Sequence, residues 1–231
     1  KTYGAGWQCF SWNFLFYLRD LHLFFYMLIT EKNTILVMGA GAVGGAFGVQ
    51  LAKSQNNTVF FVARGPHLEA IKRKGLSIQS REGKFNLKVC VSDDPGDFKS
   101  EPDLILLTVK SYDTESAMER LKPVVSKKTQ ILSLQNGIEN YPKLVNAFGE
   151  EQVVRGFCGM NAEVIQPGVI QGGPGKIFMG ENNGDMSTGL RWLQSLFETS
   201  NIRCIVCEDI HHDVWRKFAW NCIFNIVSAI T

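Results

Sequence analysis

The chain has 231 residues, enough for one large domain or for one domain and part of a second. It is 45% hydrophobic and 20% charged, as ordinary globular proteins are, and a net charge of +2 without runs of like charge gives no argument for a nucleic-acid or anionic-membrane partner, so neither is expected. Six scattered cysteines (Cys9, Cys90, Cys158, Cys204, Cys207 and Cys222) suit reduced thiols in the cytoplasm better than a disulfide framework.

Residues 1–33 differ from the rest. The apolar runs "FLFYL" and "LHLFFYMLI" are split by Arg19 and Asp20. Each is shorter than the roughly 20 apolar residues that a membrane-spanning helix needs, and no small-residue cleavage site follows them. We read them as an unassigned hydrophobic extension, either upstream read-through or an extra hairpin. A chain that starts at Lys1 rather than Met is expected to be a fragment or a conceptual translation.

From Thr34 the elements become legible. "TILVMG" reads as a short buried strand, and "AVGGAFGVQLAKSQ" as a helix opening at a glycine-rich turn. Gly39, Gly41 and Gly44 stand in G-x-G-x-x-G spacing between the two, the context in which that pattern predicts a dinucleotide site. Gly39 would permit the tight turn, Gly41 the approach of a pyrophosphate, and Gly44 close packing of helix on strand. The backbone from Gly39 through Ala40, Gly41, Ala42 and Val43 to Gly44 would then cradle phosphate at the positive end of the helix dipole. A glycine-rich turn in some other α/β protein is the alternative.

"TVFFVAR" reads as the second strand, and its end bears on which nucleotide is bound. NAD calls for a carboxylate there to take the ribose 2′-hydroxyl, whereas a cation accommodates the 2′-phosphate of NADP. The chain has Arg64 and no carboxylate before Glu69, with Lys72 and Arg73 adding positive potential, so NADPH/NADP is expected over NAD.

"PHLEAIKRKG" has proline near its start and glycine after its end, the signature of a short helix. "LSIQS" and "KFNLKVCVS" alternate as half-exposed strands on either side of an Arg81-Glu82-Gly83 turn. "PDLILLTVK" suits a central parallel strand, and helix "TESAMERLKPVV", strand "QILSLQNG" and helix "IENYPKLVNAFG" follow. Such alternation predicts an α/β fold with a mostly parallel sheet and helices on both faces. Beyond Glu151 the β-rich runs are broken by Gly and Pro, which predicts antiparallel strands extending the sheet. "GLRWLQSLFETS" reads as a helix and "NIRCIVCED" as a last strand. Cys204 and Cys207 would point to opposite faces of that strand, and no second pair completes a zinc site.

The closing helix begins near Asp209. His211 and His212 lie in its first turn with no third ligand at helical spacing, so no metal is expected. In "WRKFAWNCIFNIVSAIT", Lys217, Asn221 and Asn225 recur every four residues, each about 40° round and ~6 Å along from the last. One reading is a solvent-facing stripe on an amphipathic helix. Asparagine is a mediocre helix former, however, which leaves a functional stripe open.

The glycine-rich turn, Arg64, "TVKS", "LQNG" and "WRKFAWNCIFN" occur in this order, and together they resemble the ketopantoate reductase family over residues 34–231. The resemblance implies NADPH-dependent reduction of 2-dehydropantoate, on the route to pantothenate and coenzyme A. It implies a Rossmann-type NADP-binding domain over residues 34–207. Residues 208–231 would start an all-helical substrate domain that is cut short here. It further implies that Lys110, Asn136 and Ala162 line the cofactor and that Asn136 also touches substrate. Lys217 would be the catalytic lysine, and Asn221 and Asn225 would hold the substrate. Ile226 stands where the family often has Pro, and the Ser and Glu that the helical domain supplies are expected to lie beyond Thr231.

A ketone that accepts hydride develops negative charge on its oxygen, and Lys217 can polarise that oxygen and then protonate it. Lys110 can instead be a strand-end lysine reaching for water, and "QNG" a plain turn. The rival functions are reduction of another 2-keto acid and a non-catalytic NADPH-binding sensor. The expected partner is a small 2-keto acid, with a homodimer left open.

Overall fold

The computed structural model describes residues 32–80, 83–173 and 175–230, with side chains through Phe224. The chain divides into Lys1–Lys32 and Asn33–Thr231, and all that follows concerns the second unit. The hydrophobic extension therefore lies outside the described residues apart from its last two. So do Arg81, Glu82 and the side chain of Asn225.

The unit opens with β1 (Asn33–Met38), α1 (Ala42–Ala52), β2 (Asn57–Val62) and α2 (Gly65–Lys74). Next come β3 (Leu76–Ser80), β4 (Gly83–Leu87) and β5 (Cys90–Ser92). After β6 (Leu104–Leu107), a 3-10 turn at Ser111–Asp113 leads into α3 (Thr114–Leu121), β7 (Gln130–Ser133) and α4 (Asn140–Phe148). The remainder is β8 (Val153–Gly159), β9 (Ala162–Gln166), β10 (Val169–Gly172), β11 (Lys176–Gly180), α5 (Thr188–Thr199), β12 (Arg203–Val206) and α6 (Ile210–Ile230).

Eight strands form the main sheet in the order β12-β11-β8-β7-β6-β1-β2-β5. All neighbours are parallel except β8 and β11. The central strands are apolar throughout because both faces are covered. Along β1, Ile35 and Val37 join a core with Phe47 and Leu51 of α1, Leu68 and Ile71 of α2, and Leu193 and Phe197 of α5. Leu36 and Met38 join a second core with Met118 and Leu121 of α3 and Leu144 of α4. The α/β fold expected from the sequence, with helices on both faces of a mostly parallel sheet, is the fold observed.

The region after Glu151 differs from expectation. β8 continues the parallel array, and only β11 is added antiparallel. β9 and β10 leave the main sheet and join the β3-β4 hairpin in a four-stranded sheet ordered β4-β3-β10-β9. The expected single strand "KFNLKVCVS" is likewise divided between the two sheets, as β4 and β5. Gly168, with φ of +78°, turns β9 into β10, and Ile170 packs into the first core. A half-apolar strand satisfies its backbone equally well in either sheet, so its placement is a tertiary matter.

α6 docks through Ile210 and Val214 onto Phe157 and Phe178 of β8 and β11. Asp209 accepts from the His212 backbone N–H at 2.9 Å, which caps the helix start. Burial pushes the Cys204 and Cys207 thiols up to about 12, away from the thiolate that redox chemistry or metal binding needs. No described helix is long and apolar enough to cross a membrane.

Candidate active site

A cleft of about 1030 Å³ opens at the carboxyl ends of β1, β6, β7 and β8, which is the general position of ligand sites in sheets of this kind. β1 and β6 are neighbours at the point where the strand order reverses. One wall is the turn after β1. Gly39 adopts φ of +109°, a region that side chains rarely enter, and Thr108 donates its hydroxyl to the Gly39 carbonyl at 2.7 Å. Gly41 stands at the helix N-cap, and a Cβ there would meet nothing within 4 Å. A Cβ on Gly44 would fall on the Gly39 carbonyl and the Thr108 hydroxyl, so this glycine lies behind the turn rather than on the cleft wall.

The backbone N–H groups of Gly39 and Ala40 both donate to Val62 O, at 3.2 and 2.8 Å. Those two residues shape the turn, and the first turn of α1 from Ala42 presents the donors that have no intrahelical acceptor. His67 braces the turn from outside. Gly168 N–H donates to its Nδ1 at 3.1 Å, which requires the proton on Nε2, and Nε2 donates to Ala40 O at 2.8 Å. Nothing in the sequence marks His67 for this, because the contact joins α2 to a turn of the other sheet.

Arg64 follows β2 at the rim of the cleft, where its guanidinium forks onto Asp113 at 2.6 and 3.2 Å. Lys110 begins the turn after β6, and Asn136 follows β7; both are exposed and line the same cleft. A buried network joins their two loops. Gln135 donates to Val109 O at 2.9 Å and to the Thr114 hydroxyl at 2.8 Å, and Thr114 donates to Asn140 Oδ1 at 3.1 Å. Asn140 in turn donates to the Ser111 hydroxyl at 3.1 Å and to Asn136 O at 3.2 Å. Sequence reasoning singled out Lys110 and Asn136 but not these residues that hold their loops together. Ala162, the first residue of β9, lies on the far wall.

Lys217 and Asn221, one turn apart on α6, both face the cleft. The Lys217 amine donates to Cys158 O at 2.7 Å and lies 5.0 Å from the centre of the Phe157 ring. Burial holds its pKa below the ordinary lysine value, with an opposing contribution from Cys158. Of the residues expected from the sequence, all line this cleft except Gly44, which packs behind it, Lys72 and Arg73, which do not reach it, and Asn225, whose side chain is not described. The arrangement sets an open helix N-terminus and a cationic rim at one side, with an amine and a carboxamide aimed in from the last helix.

The family model described as "Ketopantoate reductase PanE/ApbA" matches residues 35–184. The chain is 34% identical over 200 residues to a 2-dehydropantoate 2-reductase of Pyrococcus horikoshii, covering 85% of this chain and 63% of that protein. It is 30% identical over 187 residues to an uncharacterized oxidoreductase of Bacillus subtilis, covering 79% of this chain and 60% of that protein. It thus spans about three-fifths of the length of these relatives. The crystal structure of 2-dehydropantoate 2-reductase from Porphyromonas gingivalis matches with a TM-score of 0.80 at 27% identity, covering 86% of this chain and 72% of that chain.

Proposed function

From the premise that this chain belongs to the ketopantoate reductase PanE/ApbA family, we propose that its cleft serves the NADPH-dependent reduction of 2-dehydropantoate to pantoate. The observation that carries this reading is the Lys217 amine, which reaches into the cleft that also contains the glycine-rich turn.

The geometry of the cleft supports a dinucleotide reading. The open space at Gly41 admits a phosphate to the start of α1, whose dipole favours an anion. Gly39, Ala40, Gly41, Ala42 and Val43 would hold the pyrophosphate, with Gly44 keeping the helix tight behind them. Arg64 would face the 2′-phosphate, and Lys110, Asn136 and Ala162 would line the path towards the nicotinamide. NADPH supplies the hydride when bound.

The chain's own residues do the rest. Lys217 directs an N–H at the ketone oxygen, stabilises the charge that develops there and delivers its proton to the resulting alkoxide. Partial burial makes it a stronger acid than a free lysine. Asn221 donates to the same oxygen or to a neighbouring hydroxyl without adding charge, and Asn225, one turn on, would hold the far end of the keto acid. The Cys158 carbonyl aims the amine before substrate arrives.

The test follows nicotinamide absorbance with 2-dehydropantoate and a panel of other 2-keto acids. Lys217→Ala is expected to lower kcat by about 100-fold or more while NADPH affinity stays within about threefold. Equal loss of both would make the lysine structural. Faster turnover of another keto acid would keep the chemistry and change the substrate.

A further inference from the structure

The guanidinium assigned above to the 2′-phosphate already has a partner. Arg64 Nη2 donates to Asp113 Oδ2 at 2.6 Å and Nη1 donates to Oδ1 at 3.2 Å, in the forked geometry that a phosphate would also want. The pair joins the end of β2 to the turn after β6, 49 residues away, across the rim of the cleft.

The two sides of the pair are not equally free. The Arg64 side chain is 75% exposed and that of Asp113 only 23%. Asp113 closes the 3-10 turn, where its N–H donates to Lys110 O at 2.9 Å. It also stands at the N-cap of α3, a place where aspartate usually bonds the first turn of the helix, yet its side chain makes no capping bond there. The carboxylate is turned to Arg64 instead.

We propose that Asp113 is a specificity-determining residue that narrows the preference for NADPH over NADH which Arg64 alone would set. This rests on reading the cleft as a dinucleotide site. A 2′-phosphate carries nearly two negative charges at neutral pH, and to reach Arg64 it must displace or share Asp113. The aspartate then stands beside a dianion with its own partner weakened. A ribose 2′-hydroxyl makes no such demand: it donates to the Asp113 carboxylate while Arg64 stays forked. Charges of this size about 6 Å apart in a solvated rim change affinity by about threefold to tenfold.

Fluorescence titration of the chain with NADPH and with NADH, repeated on Asp113→Asn and Asp113→Glu, tests this. Asp113→Asn is expected to tighten NADPH by about threefold to tenfold and to leave NADH unchanged or weaker. Asp113→Glu, which keeps the charge, is expected to hold the original ratio of affinities, and a double-mutant cycle with Arg64→Ala should show coupling for NADPH and little for NADH. If Asp113→Asn leaves NADPH affinity unchanged or weakens it while the parent chain binds NADPH, Asp113 merely positions Arg64 and the proposal falls. If the parent chain binds neither nucleotide, the dinucleotide reading falls first and takes the proposal with it.

Discussion

Burial of the Lys217 amine works against its charge, and proton transfer from it uses that opposition. Its ammonium loses hydration in the cleft, which lowers the pKa, and the neighbouring Cys158 only partly offsets the loss. In the proposed reduction the protonated form is the active one. The rate should therefore be flat at neutral pH and fall as pH rises through a value below that of a free lysine, about 10.4. The same shift has a consequence for stability. Between the folded and the unfolded pKa the unfolded chain binds more protons, so this group's contribution to stability grows as pH rises through that window. A pH profile of kcat/KM with NADPH saturating checks the first point, and an alkaline limb at or above the ordinary lysine value would remove burial from the account. Spacing put Lys217 and Asn221 on one stripe but left open whether it faced solvent, and only the resemblance to the family gave them roles. His67, Thr108 and Asp113 were not legible, since each acts through contacts with residues distant in sequence.

Gly44 and Gly48 of α1 are pressed against β1 and its neighbours, whereas Gly41 stands at the helix N-cap, and the three differ in what limits them. A Cβ on Gly44 would fall inside contact distance of the Gly39 carbonyl and the Thr108 hydroxyl and 2.9 Å from Val37 Cγ1. One on Gly48 would lie 2.8 Å from Phe61 Cζ and 2.9 Å from Val37 Cγ2. Gly41 instead has an extended backbone with negative φ, −69°, which alanine also adopts, and open space. Two substitutions should therefore separate folding from binding. Gly44→Ala is expected to cost about 1–3 kcal/mol in denaturant unfolding, as overpacking does. Gly41→Ala should leave stability within about 0.5 kcal/mol and weaken NADPH, because its new methyl group occupies the space that a phosphate would need. Loss of stability in both, or in neither, would contradict this division. The spacing of these glycines was visible beforehand, and so were the strands and helices that flank them. The sheet that β9 and β10 would join was not visible, because alternation of apolar and polar residues states which face is buried and not against what.

At the scale of the whole molecule, the cleft is a place where several carboxyl ends meet and few side chains bridge the gap. The turns after β1, β6 and β7 are held to one another by Thr108, Gln135, Thr114 and Asn140, and α6 meets the end of β8 beside them through Lys217. A ligand that touches all of these should resist unfolding. At NADPH about 100-fold above its Kd the gain is about 2.7 kcal/mol, a rise in Tm of roughly 5–10 °C for a chain of this size. A thermal melt with and without NADPH reads it, and an unmoved Tm at saturating NADPH would argue that the nucleotide does not span these turns.

Local pattern by itself determined most of the order of strands and helices (though not the break between β4 and β5), the placement of the glycine-rich turn between the first strand and helix, and the amine and carboxamides on one stripe of the last helix. These are matters of period and of short-range backbone geometry, which neighbouring residues settle among themselves. Tertiary structure alone decided that β10, with β9 beside it, pairs with β3 rather than joining the main sheet, that His67 grips the Ala40 carbonyl, and that Arg64 meets Asp113. Each of those depends on which distant backbone arrives within hydrogen-bonding reach, and that is set only when the packed layers come together.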